Sequence, residues 1–357
     1  MLGMIVLAVL VVGIRLGLAW QRRVGMAEEV GRKEEIKTIA WGLEIPWEIV
    51  FVSEREFLVT ERPGRVRMVR DGKLEVKPLA VLENVAAEGE GGLLGMALDP
   101  SYANNGFIYV YYTYRDGKDL FNRVARFTRR GDELSDEKVI VDRIPGGKVH
   151  DGGRIKFGPD GFLYIGTGDA GRAKLAQDLN SLAGKILRVD TEDPTRSVNF
   201  YGTLVYSYGH RNVQGLAWDE ARQLYATEHG PAGHDEFNFV RPWSNHGWPK
   251  VTGDNWEPSL VGPMVQSGND TWAPSGAVYY KGSVFFGGLR GVAIYEVEIQ
   301  NAKADLKVHM RDSFGRVRDV VVGPDGYFYI LTSNRDGRGI ISEGDDRVVR
   351  IAPRIFL

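Results

Sequence analysis

The sequence predicts an all-β fold, a six-bladed β-propeller, on two observations. The first is a set of six short β-branched and aromatic runs, each preceded by turn residues: FLVTE, GFIYVYYTY (106–114), GFLYIGTG (161–168), QLYATEHG (223–230), GSVFFGG (282–288) and GYFYILT (326–332). The second is their spacing of roughly 45–60 residues, the repeat length of propeller blades with about four strands each. Several runs follow a companion strand across a tight turn, as in GMALDPSYANNGFIYVYY, RIKFGPDGFLYIGTG, GLAWDEARQLYATEHG and DVVVGPDGYFYIL, so the hairpin is the repeating unit. In GPDG, Pro presets φ and Gly supplies a positive φ, which makes the motif a turn with no chemistry of its own. A β-sandwich would space its strands more evenly and closely. One short helix is expected, near AKLAQDLNSLAGK.

The chain has 357 residues, of which 43% are hydrophobic and 26% charged, which fits one large globular domain or two small ones. Its 45 basic and 47 acidic residues nearly cancel, so no bulk field draws it to nucleic acid, and no nucleic-acid partner is expected. The absence of cysteine removes disulfides, thiolate catalysis and Cys-ligated zinc together. No G-x-G-x-x-G opens a helix after a strand, which argues against a nicotinamide enzyme. Residues 4–13, MIVLAVLVVG, are an unbroken apolar run followed by LGLAW and QRR. The run is short for a bilayer span, which needs ~20 apolar residues, but suits a signal peptide. Residues 1–25 therefore read as a signal peptide or N-terminal anchor, and 35–357 as one propeller. The expected location is extracytoplasmic, with membrane association only through that segment.

Loops at one end of a propeller's central channel bring distant sequence positions together. Polar residues beside the hairpins lie in EGEGG (88–92), VHDGG (149–153), GTGD (166–169), GHRNVQG (209–215), EHGPAGHDEFN (228–238), GGLRG (287–291) and GRVRD (315–319). They offer a histidine near aspartates, several arginines and a Gly-Pro corner followed by carboxylates. Such a set can pair guanidinium groups with a planar anion and hold a hard cation on carbonyl oxygens. His150 beside glycines is, by itself, equally a turn residue, and the R-x-R of GRVRD equally a surface salt-bridge row.

GEGGLLGMALDP, HDGGRIKFGPDG, GHRNVQG, EHGPAGHDEFN with NHGWP, APSGAVYY and GRVRD occur in one order after residue 35. This series resembles the soluble glucose and aldose sugar dehydrogenases that use pyrroloquinoline quinone (PQQ), in particular the short aldose sugar dehydrogenases. The resemblance implies oxidation of the anomeric carbon of aldose sugars to lactones, with electrons passed to an external acceptor, and PQQ and calcium as cofactors. It casts His150 as general base, Asp169 as the carboxylate that orients it, and Arg211 as the cation beside the quinone oxygen. Asn212, Arg316 and Arg318 would contact PQQ, as would Glu90, where the family commonly has glutamine, and Arg290, where it usually has lysine. Gly230 and Pro231 would bind calcium through carbonyls, and Asp235 and Glu236 would match a second calcium site, although His246 stands where its tyrosine belongs. The competing readings are a calcium-dependent propeller lactonase, which has little use for arginines on three blades, and a non-enzymatic secreted binding module, which would lose the base and the arginines.

Overall fold

The computed structural model describes residues 35–356 except 197, 198, 200, 201, 256, 301 and 302, so the segment read as signal peptide or anchor lies outside the described residues. Six antiparallel sheets form the blades of a propeller. Their innermost strands are Pro46–Ser53, Leu93–Leu98, Gly152–Phe157, Val213–Trp218, Pro274–Tyr280 and Val317–Val322, for blades 1 to 6 in chain order. Each contacts the next, and the sixth contacts the first, which closes the ring. All six runs read from the sequence lie in the second strand of a blade, hairpinned to the innermost one, as in Gly152–Phe157 with Leu163–Thr167 and Val317–Val322 with Phe328–Thr332.

The second strands are buried on both faces because neighbouring blades stack on them; Leu163–Thr167, Leu224–Glu228 and Phe328–Thr332 are buried throughout. One apolar cluster fills each of the six blade interfaces. Full burial of a Leu, Ile or Phe side chain stabilises by roughly 1.5–3 kcal/mol, so every interface contributes to holding the ring.

The last blade is completed by the first described strand. Ile36–Trp41 pairs antiparallel with Arg347–Ile351, Ile36 opposite Ile351 and Trp41 opposite Arg347. Helix is scarce. The segment expected to be helical holds only a 3-10 turn at Ala173–Gln177, because Lys185–Val189 is already the third strand of blade 3. A one-turn α-helix, Tyr102–Asn105, sits where the sequence reads as a plain turn, closed by Gly106 at φ +67°.

An ion-pair network ties all six innermost strands together on the axis. Arg154 of blade 3, fully buried, lies 2.6 Å from Glu48 of blade 1 and 3.2 Å from Asp319 of blade 6. Its Nε donates to the Gln214 carbonyl of blade 4. Glu48 accepts the Met96 amide of blade 2, and Lys156 donates to the Ala277 carbonyl of blade 5. Gly276 belongs here because a Cβ would come within 1.7 Å of Asp319 Oδ1. Charges buried this deeply persist only when paired.

Candidate active site

The residues singled out above lie at the end of the channel where the innermost strands begin, on loops or, for Arg318 and Glu236, at the starts of the strands Val317–Val322 and Glu236–Val240. His150 stands just before Gly152–Phe157 at φ +59°, a left-handed conformation uncommon for a residue other than glycine. It is held from two sides: Glu90 Oε2 accepts the His150 amide at 2.9 Å, and the His150 carbonyl accepts the Ala170 amide. A Cβ on Gly168 would sit 1.8 Å from that carbonyl, which explains the glycine in GTGD.

His150 Nδ1 lies 2.7 Å from Asp169 Oδ1. The same oxygen accepts the Gly171 amide, and Oδ2 accepts Trp248 Nε1 at 2.8 Å. Burial works against the Asp169 charge, but the bonds from His150, Trp248 and Gly171 outweigh it and hold the carboxyl below its ordinary range. An ionised Asp169 can only accept, so Nδ1 carries a proton, and in the neutral imidazole the lone pair is then on Nε2. Glu90 is likewise ionised. Burial opposes this, yet the His150 amide, the nearby His229 and Arg338 Nη1 at 2.9 Å bring Glu90 down to about 2.

Two adjoining cavities share His229, Leu289 and Arg338. The inner one is lined by Trp47, Arg62, Glu90, Asp151, Gln214 and Arg318 among others. The outer one, about 730 Å³, is lined by Arg290, Arg316 and Asn334 with the 338–342 loop. Arg316 and Arg318 are both 7% exposed, so GRVRD is no surface row. Arg316 pairs with Asp336 at 2.6 Å and donates to the Leu289 carbonyl. Arg318 has only neutral hydrogen-bond company, Gln214 Oε1 at 2.6 Å, and its Nε is buried without a partner. Burial and the adjacent Arg316 charge pull Arg318 down to about 9, the signature of a cation short of an anion.

Arg211 donates to the His229 carbonyl, its guanidinium 5.4 Å from the Trp248 ring centroid, with Nε buried and unpartnered. Asn212 is fully buried; its Oδ1 accepts the Gly152 amide and its Nδ2 has no partner. Unmatched donors on Arg211, Asn212 and Arg318 fit a flat ligand rich in carbonyl and carboxylate oxygens, which is the chemistry of PQQ.

At EHGPAGHDE, Gly230 donates its amide to Asp235 Oδ1, and Asp235 Oδ2 accepts the amides of Trp272 and Ala273. Asp235 therefore pins the Gly-Pro corner to the entrance of blade 5. Among the described residues, no backbone amide outside the strands donates to the carbonyls of Gly230 or Pro231, and no cluster of three acidic or histidine side chains could hold a metal. A cation here would rest on carbonyl oxygens, which suits calcium. Glu236 bonds Asn238 and the Gly253 amide, and burial with the nearby Glu228 pushes it up to about 8. His246 stacks on His210 at 4.5 Å rather than standing free.

The structure thus gathers His150, Asp169, Arg211, Asn212, Glu90, Arg316 and Arg318 around one mouth, with Arg290 exposed at its rim. Glu90 holds the His150 backbone and Arg338. Sequence reasoning missed Arg62, Asp151, Gln214, His229 and Trp248. Most of these sit inside or beside quoted fragments, but nothing local distinguishes them from turn residues.

Residues 43–342 match the profile of the glucose/sorbosone dehydrogenase family. The chain is 31% identical over 332 residues to an aldose sugar dehydrogenase of Escherichia coli, spanning 83% of this chain and 89% of the relative. Quinoprotein glucose dehydrogenase B of Acinetobacter calcoaceticus is 30% identical over 251 residues, 61% of this chain and 52% of the relative. Among solved structures, the PQQ-bound aldose sugar dehydrogenase of Streptomyces coelicolor matches with a TM-score of 0.84 at 37% identity, covering 89% of this chain and 97% of that one.

Proposed function

The chain belongs to the glucose/sorbosone dehydrogenase family, whose members similar to it include quinoprotein sugar dehydrogenases, and from that membership we propose that it is a PQQ- and calcium-dependent aldose sugar dehydrogenase. It oxidises the anomeric carbon of aldoses to lactones outside the cytoplasm and passes the electrons to an external acceptor. The observation that carries this reading is the His150–Asp169 pair, at 2.7 Å, beside a cavity in which the buried Arg318 has no anionic partner among the described residues.

Bound PQQ supplies the hydride acceptor, and calcium supplies Lewis-acid polarisation. The chain supplies the rest. His150 Nε2 takes the proton of the anomeric hydroxyl, Asp169 stabilises the resulting imidazolium through Nδ1, and Trp248 keeps Asp169 in place. Arg211, with its Nε buried and unpartnered, would supply a cation to stabilise negative charge on the acceptor. Arg316, Arg318 and Asn212 hold the cofactor, Arg290 guards its rim, and the carbonyls of Gly230 and Pro231 hold the ion.

The test is reconstitution: apo protein with PQQ and calcium, followed by dye reduction over a panel of aldoses. Sugar-dependent reduction that requires PQQ is expected. A fully loaded protein that reduces no dye with any aldose would refute the reading.

A further inference from the structure

Asp151 is a buried carboxyl at the site that the mechanism above leaves without a task. It is 2% exposed and lines the inner cavity beside Arg62, Glu90 and Gly152. Its Oδ1 accepts the Gly147 amide at 3.0 Å and Asn122 Nδ2 at 3.1 Å, and its backbone carbonyl accepts the Tyr111 hydroxyl at 2.7 Å. The side chain is therefore fixed. Its Oδ2 is buried with no partner at all among the described residues.

We propose that Asp151 is a cofactor-binding acid: protonated in the filled site, it donates a hydrogen bond from Oδ2 to a carboxylate oxygen of PQQ. This rests on the PQQ reading given above. An isolated buried carboxylate is costly, and a neutral carboxyl turns the unsatisfied Oδ2 into a donor. Arg62 and Arg318 line the same cavity with no ion-pair partner among the described residues, which favours an anionic occupant, while Arg338 there is paired with Glu90. A carboxylate there would meet like charge if Asp151 were ionised, and a short charge-assisted bond if it were not. A sugar must enter and leave in every turnover, whereas a group this deep faces the ligand that stays.

The surrounding charges agree with a neutral acid. Burial raises Asp151 to about 7, opposed by the Gly147 and Asn122 bonds, with Glu90 pushing up and Arg62 pulling down. Arg318, Arg338, Asp336 and His229 complete the charged and titratable lining of that cavity. Arg316 is committed to Asp336 and Arg338 to Glu90, so neither arginine serves as a counter-ion for Asp151.

The sign of the linkage follows. If only the protonated carboxyl binds, raising the pH through about 7 empties the competent form of the free protein, and PQQ affinity falls by up to tenfold per pH unit. The ligand's carboxylates, with pKa values near ~4, stay ionised throughout. Full-chain apo protein with saturating calcium should be titrated with PQQ at several values between pH 6 and 9, for wild type and for Asp151→Asn. Asparagine keeps the acceptor at Oδ1 and a neutral donor at the other position. Wild-type dissociation constants should rise by up to about a hundredfold across the range, against less than about threefold for Asp151→Asn. Glu48, Glu228 and Glu236 also lie near 7–8, but both proteins share them, so the difference between the profiles reports Asp151.

Parallel pH profiles would overturn the assignment while leaving PQQ binding intact. Failure of wild type to bind PQQ at any pH would overturn both. Calorimetry in buffers of different ionisation enthalpy gives a second measure on wild type alone: close to one proton taken up on binding at pH 8 is expected, and none would overturn the assignment even if Asp151→Asn folded poorly.

Discussion

Replacing Asp169 by asparagine tests the heart of the proposed chemistry, because three donors converge on that carboxylate. His150 Nδ1 and the Gly171 amide share Oδ1, and Trp248 Nε1 takes Oδ2. An asparagine has one acceptor oxygen. With that oxygen toward His150, its amide group meets the Trp248 N–H, two donors face to face. With its amide toward His150, Nδ1 must become the acceptor, the proton moves to Nε2, and the base is lost. The first orientation forfeits a charge-assisted bond of about 1.5–3 kcal/mol, or roughly 10–150-fold in rate; the second adds the wrong tautomer. Turnover should therefore fall by about 10²–10⁴. Melting should drop only by the ~1–3 kcal/mol of an unsatisfied buried group. The assay is single-turnover reduction of bound PQQ by sugar, followed spectrally in fully loaded protein. Adding Trp248→Phe removes the opposing donor, favours the first orientation and should restore part of the rate. A loaded Asp169→Asn protein reducing PQQ within about threefold of wild type would refute the division of labour between His150 and Asp169.

Arg318→Ala should weaken PQQ binding by roughly 2–4 kcal/mol with little loss of stability, since Arg318 has Gln214 and the Trp47 ring as side-chain partners and no ion pair among the described residues; Arg316→Ala should weaken binding and also lower the melting temperature, because it strands the buried Asp336. Equal cofactor affinity in both variants and wild type, measured by titration, would remove the arginines from the cofactor. Chelation before PQQ addition should block reconstitution, with calcium restoring it better than magnesium, because a carbonyl site is loose and large; chelator-insensitive loading would remove Gly230 and Pro231 from the metal. Glu90 has a folded pKa of about 2 against an ordinary 4.5, so its stabilisation is fully present above pH ~4.5 and is lost as the pH falls toward 2. Thermal melts from pH 6 to 2.5 should fall less steeply for Glu90→Gln than for wild type, and identical slopes would contradict the bonds to His150 and Arg338.

The hairpins were legible because their cause is local. Gly-Pro-Asp-Gly fixes a turn within four residues, and alternating β-branched and aromatic residues mark the strands on either side. The closing strand Ile36–Trp41 carries the same kind of pattern, but its partner is at the far end of the chain, and no local signal names it. The site divides along the same line. His150 and Asp169 lie on one hairpin, where the ladder sets Gly152 opposite Thr167 and so brings the flanking residues together. Arg62, Gln214 and Trp248 reach the mouth from blades 1 and 4 and from the loop after Glu236–Val240, and only the closed ring makes them neighbours. The expected helix near residue 173 shrank to one 3-10 turn because strand pairing in blade 3 outweighed helix propensity.

Closure of blade 6 by the two ends of the described chain has a consequence for how the protein is made. During synthesis the strand Ile36–Trp41 waits for Arg347–Ile351, roughly 300 residues later among the described strands, and until then one sheet exposes unpaired amides and carbonyls at its edge. The other five blades can form in order as their hairpins leave the ribosome, but the ring seals only when Arg347–Ile351 arrives. A chain stopped short of that strand would leave both the first strand and blade 6 without their shared ladder, and such a product would fail through edge-to-edge aggregation rather than through any defect in the catalytic loops.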